Sequence, residues 1–200
     1  MNNVSGLASH LSPDTINRLE QAAIRRYEEG TRLCERKRFL CAVYLYGFSV
    51  EMCLAAAYFR SSGFAPNSPI GRETRERQMK YARAIRDADN QPLMDAAPHP
   101  LIGWARLLQW RRRLSSQLTA AQTSRLREAL KKAEIVYKHW RPELRYKTKD
   151  VLPAQLAEVR KCVDWFIANR GRLQEYQECP CSVCPLQECR PRCDSRYWRG

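Results

Sequence analysis

Residues 39–59 read FLCAVYLYGFSVEMCLAAAYF, an apolar run whose single charge is Glu51. An unpaired buried charge is costly, so this carboxylate calls for a partner from elsewhere in the chain. The run is long enough to cross a bilayer, which needs roughly 20 apolar residues. Against that, Glu51 sits inside it, Ala, Tyr and Cys outnumber Leu and Ile, basic residues flank both ends and no second such run exists. The expectation is a central helix buried on most faces and not a membrane span.

Upstream, Ser12-Pro13-Asp14 has the chemistry of a helix start: a capping hydroxyl, a proline at the first turn and an acid at the positive end of the dipole. Ile16, Leu19, Ala23, Tyr27 and Cys34 recur at helical spacing up to about Arg38. The link into the central helix is so short that the two must form an antiparallel pair. Downstream, GFAPNSPIG (63–71) is a loop by its Gly and Pro content, and a charged helix follows over roughly 72–88. NQPLMDAAPHP (90–100) is a second loop. A short helix over 101–114 and another over 119–139 follow, the latter capped by Thr119. Pro142 breaks the chain, and Pro153 opens a last helix running to about Gln177.

No strand alternation is sustained and no repeat is visible, so the chain reads as all-α, an antiparallel helical bundle. Three segments follow: a flexible N-terminus over 1–12, the bundle over 13–177, and an irregular Cys-rich tail over 178–200. The N-terminal residues lack a basic stretch followed by an apolar core, so no secretory signal is expected and the cytoplasm is the expected compartment. Disulfides are then not expected among the nine cysteines.

At 200 residues, 44% of them hydrophobic, the chain is long enough for one well-cored domain plus an appendage. Its net charge of +14 points to an anionic partner, nucleic acid first and an acidic protein or surface next. Residues 72–149 carry 19 of the basic residues against 8 acids. In the helix from 72, Glu73 and Glu76 dilute the cations by i,i+4 pairing, which makes it a solvated face. The cluster Trp110-Arg111-Arg112-Arg113, with Lys131 and Lys132 beyond it, is the candidate phosphate-binding set, since guanidinium groups beside an indole can hold phosphate while the ring packs or stacks.

The pairing of YLYGFSVEMCLAAAYF (44–59) with the later WRPELRY (140–146) resembles HEPN-domain proteins (higher eukaryotes and prokaryotes nucleotide-binding), over about residues 14–177. The resemblance implies a small helical bundle that dimerises, with a cognate partner protein in a toxin–antitoxin or antiviral system. On the residues themselves, Arg145 is the expected partner of Glu51, because guanidinium and carboxylate pair bidentately. Many HEPN proteins are metal-independent ribonucleases with an Arg, then four to six residues, then a His. In such a motif the His is acid or base and the Arg holds phosphate. None of the three histidines here has an Arg at that distance upstream, and no His follows Arg145 there. His10 and His99 read as loop residues, and His139 as a cation at a helix C-terminus. The expected role is therefore non-catalytic binding of RNA or another nucleic acid, or of a partner. The rivals are a diverged ribonuclease using His139, Arg141 and Arg145, and a dimerising structural adaptor.

The tail carries Cys179-x-Cys181-x2-Cys184-x4-Cys189-x3-Cys193. Four thiolates suit tetrahedral Zn²⁺, which would supply the folding energy that the apolar content cannot. Cys181, Cys184, Cys189 and Cys193 look like a zinc knuckle, with Cys189 where the knuckle has His, the last spacer one residue short, and Cys179 as a spare ligand. An iron–sulfur cluster or thiol redox sensing is the alternative. Cys34, Cys41, Cys53 and Cys162 fall on helix faces and read as small buried hydrophobes.

Overall fold

The 39–61 segment forms a single helix around which the others are laid. In a computed structural model the described residues are 14–175, apart from 88–89, 97–98, 116–117 and 148–149. They form α1 (Ile16–Glu35), α2 (Phe39–Ser61), α3 (Arg72–Ala84), α4 (Leu101–Ser115), α5 (Ala120–His139), a 3-10 turn (Pro142–Tyr146) and α6 (Pro153–Gln174). Among the described residues there is no strand, only isolated bridges joining Asp14 to Ile70 and Arg86 to Pro92. The all-α expectation holds. The tail cysteines Cys179, Cys181, Cys184, Cys189 and Cys193, and the proposed cap Ser12, lie outside the described residues.

Most of α2 is buried, from Ala42 and Val43 through Val50 to the Cys53–Phe59 run. It packs on α1, α4 and α6, which take up the faces that would otherwise meet lipid or water. By length and composition alone α2 could cross a membrane; its neighbours make it a core helix instead. Against the expected burial of the helical cysteines, Cys34 is half-buried and Cys41 is exposed. Cys41 falls on the stripe of Leu45, Phe48 and Met52, the least covered side of α2. Burial pushes the Cys53 thiol up to about 12, and raises that of Cys162. Both are inert packing groups.

The α1–α2 hairpin closes by a Schellman motif. Lys37 takes the left-handed conformation (φ 58), Lys37 N–H donates to Cys34 C=O and Arg38 N–H to Leu33 C=O, each at 2.9 Å. Along the pair, Ser49 Oγ donates to Ala23 C=O at 2.8 Å, and Tyr46 Oη lies 3.2 Å from Thr31 Oγ1. The helix start is one turn later than expected: Thr15, not Ser12, is the N-cap, its side chain accepting from Arg18 N–H. Thr119 caps α5 as expected, with Gln122 completing a reciprocal capping box. At α2's own N-terminus, Leu40 N–H finds no local cap and donates to Asp150 Oδ1 at 3.0 Å.

The turn after α5 is docked by Trp140, which is fully buried. Its indole N–H donates to Tyr44 C=O at 3.0 Å. A Cβ on Gly47 would come within 2.2 Å of the indole carbons, so this close approach requires glycine. Gly47→Ala is expected to lower stability by about 1–3 kcal/mol through overpacking. Gly171→Ala, whose added Cβ would meet nothing within 4 Å in α6, is expected to raise it by about 0.5–1 kcal/mol. Urea denaturation of both variants checks the pair. Equal effects of one sign would refute the docking argument.

Candidate functional site

A groove of about 720 Å³ opens between α1, the exposed stripe of α2, the start of α3 and the start of α4. Its walls are apolar, with Leu19, Phe48, Met52, Met79 and Trp104. Two polar centres interrupt them. At one end the loop 62–71 is pinned to the start of α1: Asn17 N–H donates to Pro66 C=O at 3.1 Å and Asn17 Nδ2 to Asn67 Oδ1 at 2.7 Å. This brings Arg75, in the first turns of α3, to Asp14, with Nη2 2.6 Å from Oδ2.

The other centre is Glu51. Its partner is His99, whose Nδ1 lies 3.0 Å from Glu51 Oε2. The expected Glu51–Arg145 pair does not form. Arg145 is exposed in the 3-10 turn with its guanidinium over the Tyr146 ring, 4.7 Å from the centroid. The physical reason lies in the rings. The His99 imidazole packs edge-on against Phe48 (centroids 5.1 Å) and Trp140 (6.3 Å) while one nitrogen reaches the carboxylate. The imidazole fills that corner, and the Arg145 guanidinium is engaged by the neighbouring Tyr146 ring instead. Glu51 is 15% exposed and His99 38%, so the pair stands at the groove wall and not in the core. His99 does lie in a loop, as read from the sequence; its approach to an acid 48 positions earlier leaves no periodic signal. The one available clue was chemical: Glu51 needed a cation, and histidine can become one.

The hydrogen bond to Glu51 is the main reason the His99 pKa is raised; desolvation opposes it, the charges of Glu51 and Glu143 add to it, and that of Arg145 subtracts. The turn carrying Glu143 and Arg145 therefore stands beside the imidazole. A histidine so placed can accept or donate a proton near neutral pH.

His139 sits in the last turn of α5, as expected, with Nε2 2.7 Å from Glu158 Oε2. Its side chain is 10% exposed and outside the groove lining. Arg141 lies over the Tyr137 ring at 3.3 Å. The expected cluster at 110–113 is split. Arg111 Nε donates to Ser61 C=O at 3.4 Å, and Arg112, almost fully buried, donates to Glu175 C=O. Each guanidinium thus serves the C-terminal end of a helix, α2 and α6 respectively. Arg113 alone of the three faces solvent. Lys132 pairs with Glu128 at 3.0 Å and lies 5.7 Å over the Trp165 ring, whereas Lys131 is exposed. Among the described residues no group of His, Cys, Asp and Glu could hold a metal ion.

Compared with protein-family models, with curated proteins and with solved structures, the chain matches none.

Because the folded-state His99 pKa lies above the ordinary value of 6.5, the pair contributes stability that is fully present below about pH 6.5. That stability is lost as pH rises through the raised pKa. NMR titration of the imidazole is expected to show a pKa above the ordinary value, falling back in Glu51→Gln. A His99 that titrates as a free imidazole in the intact protein would refute the pairing.

Proposed function

We propose that this chain is a HEPN-like helical module that binds nucleic acid without catalysis. The observation that carries the reading is the stripe of cations left over once the fold has taken its share. Arg127, Lys131 and Lys138 are exposed along one side of α5, diluted by Glu134, and the chain continues into Arg141, Arg145 and Lys147. None of Lys131, Lys138, Arg145 and Lys147 has a carboxylate within 4.0 Å among the described residues. The resemblance of 44–59 and 140–146 to HEPN proteins supports the same reading, with a cytoplasmic homodimer formed through the bundle and a cognate protein of a toxin–antitoxin or antiviral system as context. Zinc bound by four of Cys179, Cys181, Cys184, Cys189 and Cys193 belongs to it on thiolate chemistry.

The second reading is a diverged metal-independent ribonuclease, and one observation favours it: the Glu51–His99 pair faces a groove with Arg75 in it and Arg145 nearby. It would move the acid–base role from His139 to His99.

Fluorescence anisotropy with labelled RNA and DNA tests the first reading. Affinity should fall with salt, with log K dropping about 0.7 per phosphate contact per decade on single strands, and Lys131→Glu/Lys138→Glu should weaken binding about tenfold or more. Absence of binding at low salt would instead favour the structural adaptor. Purified protein should leave mixed RNA intact; cleavage lost in His99→Ala but kept in His139→Ala would establish the ribonuclease. Elemental analysis should give one zinc per chain, lost in Cys184→Ser. Iron in its place would point to a cluster.

A further inference from the structure

We propose that the segment 137–147 is a stacking platform for single-stranded nucleic acid, with one face of the Tyr146 ring offered to an unpaired base. The inference rests on the nucleic-acid reading above and names the form of nucleic acid and the residue that selects it.

Tyr146 is 72% exposed, the most exposed of the large hydrophobic side chains among the described residues. A solvated aromatic ring on a well-cored domain forgoes the burial that such a side chain would gain. The ring is nevertheless held. It ends a 3-10 turn opened by Pro142, which fixes the backbone, and the Arg145 guanidinium covers one face at 4.7 Å. With that face covered and most of the residue still exposed, the opposite face is open. A ring backed by a guanidinium and open on its other side is the arrangement on which a nucleobase stacks.

The surroundings supply the backbone contacts such a strand needs. Over 131–147 there are six Lys and Arg against two acids. Of the six only Lys132 is paired with a carboxylate among the described residues. Lys147 directly follows the tyrosine, and Lys131 and Lys138, exposed on one side of α5, precede it in the chain. Tyr137 takes no part in stacking, because Arg141 lies over its ring at 3.3 Å and the residue is otherwise packed, partly buried, against the core. The platform is therefore one ring with a cationic approach. It suits unpaired strands, because a duplex keeps its base faces stacked internally and offers only phosphate.

The test is anisotropy of the full-length chain with fluorescein-labelled oligonucleotides of about 12 nucleotides, within the usual site size. The probes are single-stranded RNA, single-stranded DNA and the corresponding duplexes, at one salt concentration. The proteins are wild type, Tyr146→Ala, Tyr146→Phe and Lys131→Glu. Tyr146→Ala should weaken single-strand binding about tenfold, as expected for the loss of one stacked base. Tyr146→Phe should keep it, and duplex binding should be the same in all three. A fall with both RNA and DNA identifies the base face as the feature recognised; a fall with RNA alone identifies RNA as the ligand. If Tyr146→Ala holds single strands like wild type while Lys131→Glu weakens every probe, the platform is wrong and the nucleic-acid reading stands. If wild type holds no probe even at low salt, both fall.

Discussion

The contact of Trp140 with Gly47 sets most of what surrounds the groove. An indole can lie on a helix backbone only where the helix lacks a side chain, and Gly47 provides that gap on α2. The indole N–H then takes a spare lone pair of the Tyr44 carbonyl, so no buried polar group is stranded. With Trp140 seated, the end of α5 and the turn Pro142–Tyr146 are fixed against α2. The indole then becomes one wall of the corner that receives His99, the other wall being Phe48. The position of the imidazole opposite Glu51 is thus inherited from a missing methyl group one helical turn earlier.

That corner also explains how an acid is accommodated on the most apolar helix of the protein. Glu51 is neither desolvated in the core nor free in water; it borders the groove and meets a group that can carry a positive charge when needed. An ion pair at a partly exposed wall costs much less desolvation than one in the interior. An arginine brought from the 142–146 turn would satisfy the charge but would leave the aromatic corner unfilled. The imidazole satisfies both. The same corner leaves a proton-transfer group beside cations, which is why acid–base chemistry stays the rival to a purely binding role.

Much of the fold was legible in local signals. Thr119 with Gln122, Pro153 and the Gly/Pro-rich 63–71 segment mark element ends by backbone chemistry that acts over a few residues, and the elements begin where these signals stand. Ser12 and Thr15 offer the same hydroxyl to a reader of the sequence, and the start of α1 at Thr15 is held by the contacts of Asp14 and Asn17 with the distant 66–70 loop. The site was much less legible. His99 meets Glu51 through a loop that imposes no period. Arg111 and Arg112 read as a surface cluster because three successive arginines carry no information on which way each points. In the fold they diverge by helix geometry, two toward the carbonyl ends of α2 and α6 and one toward water.

The division of labour among the cations bears on function. Arginines that cap carbonyl ends or pair with Asp14, and a lysine pinned between Glu128 and Trp165, stabilise the fold and have little capacity left for a ligand. Of what remains, part lies on the outer side of α5 and in the turn that follows, and part elsewhere, as in the exposed Arg36, Lys37 and Arg38 between α1 and α2 and Arg160 and Lys161 on α6. On α3, by contrast, Glu73 and Glu76 balance the cations by pairing with Arg77 and Arg72. What sets the α5 edge and its turn apart is the exposed Tyr146 ring with one face covered by a guanidinium, and this supports the proposal that the surface meets an anionic polymer with flat, unpaired bases.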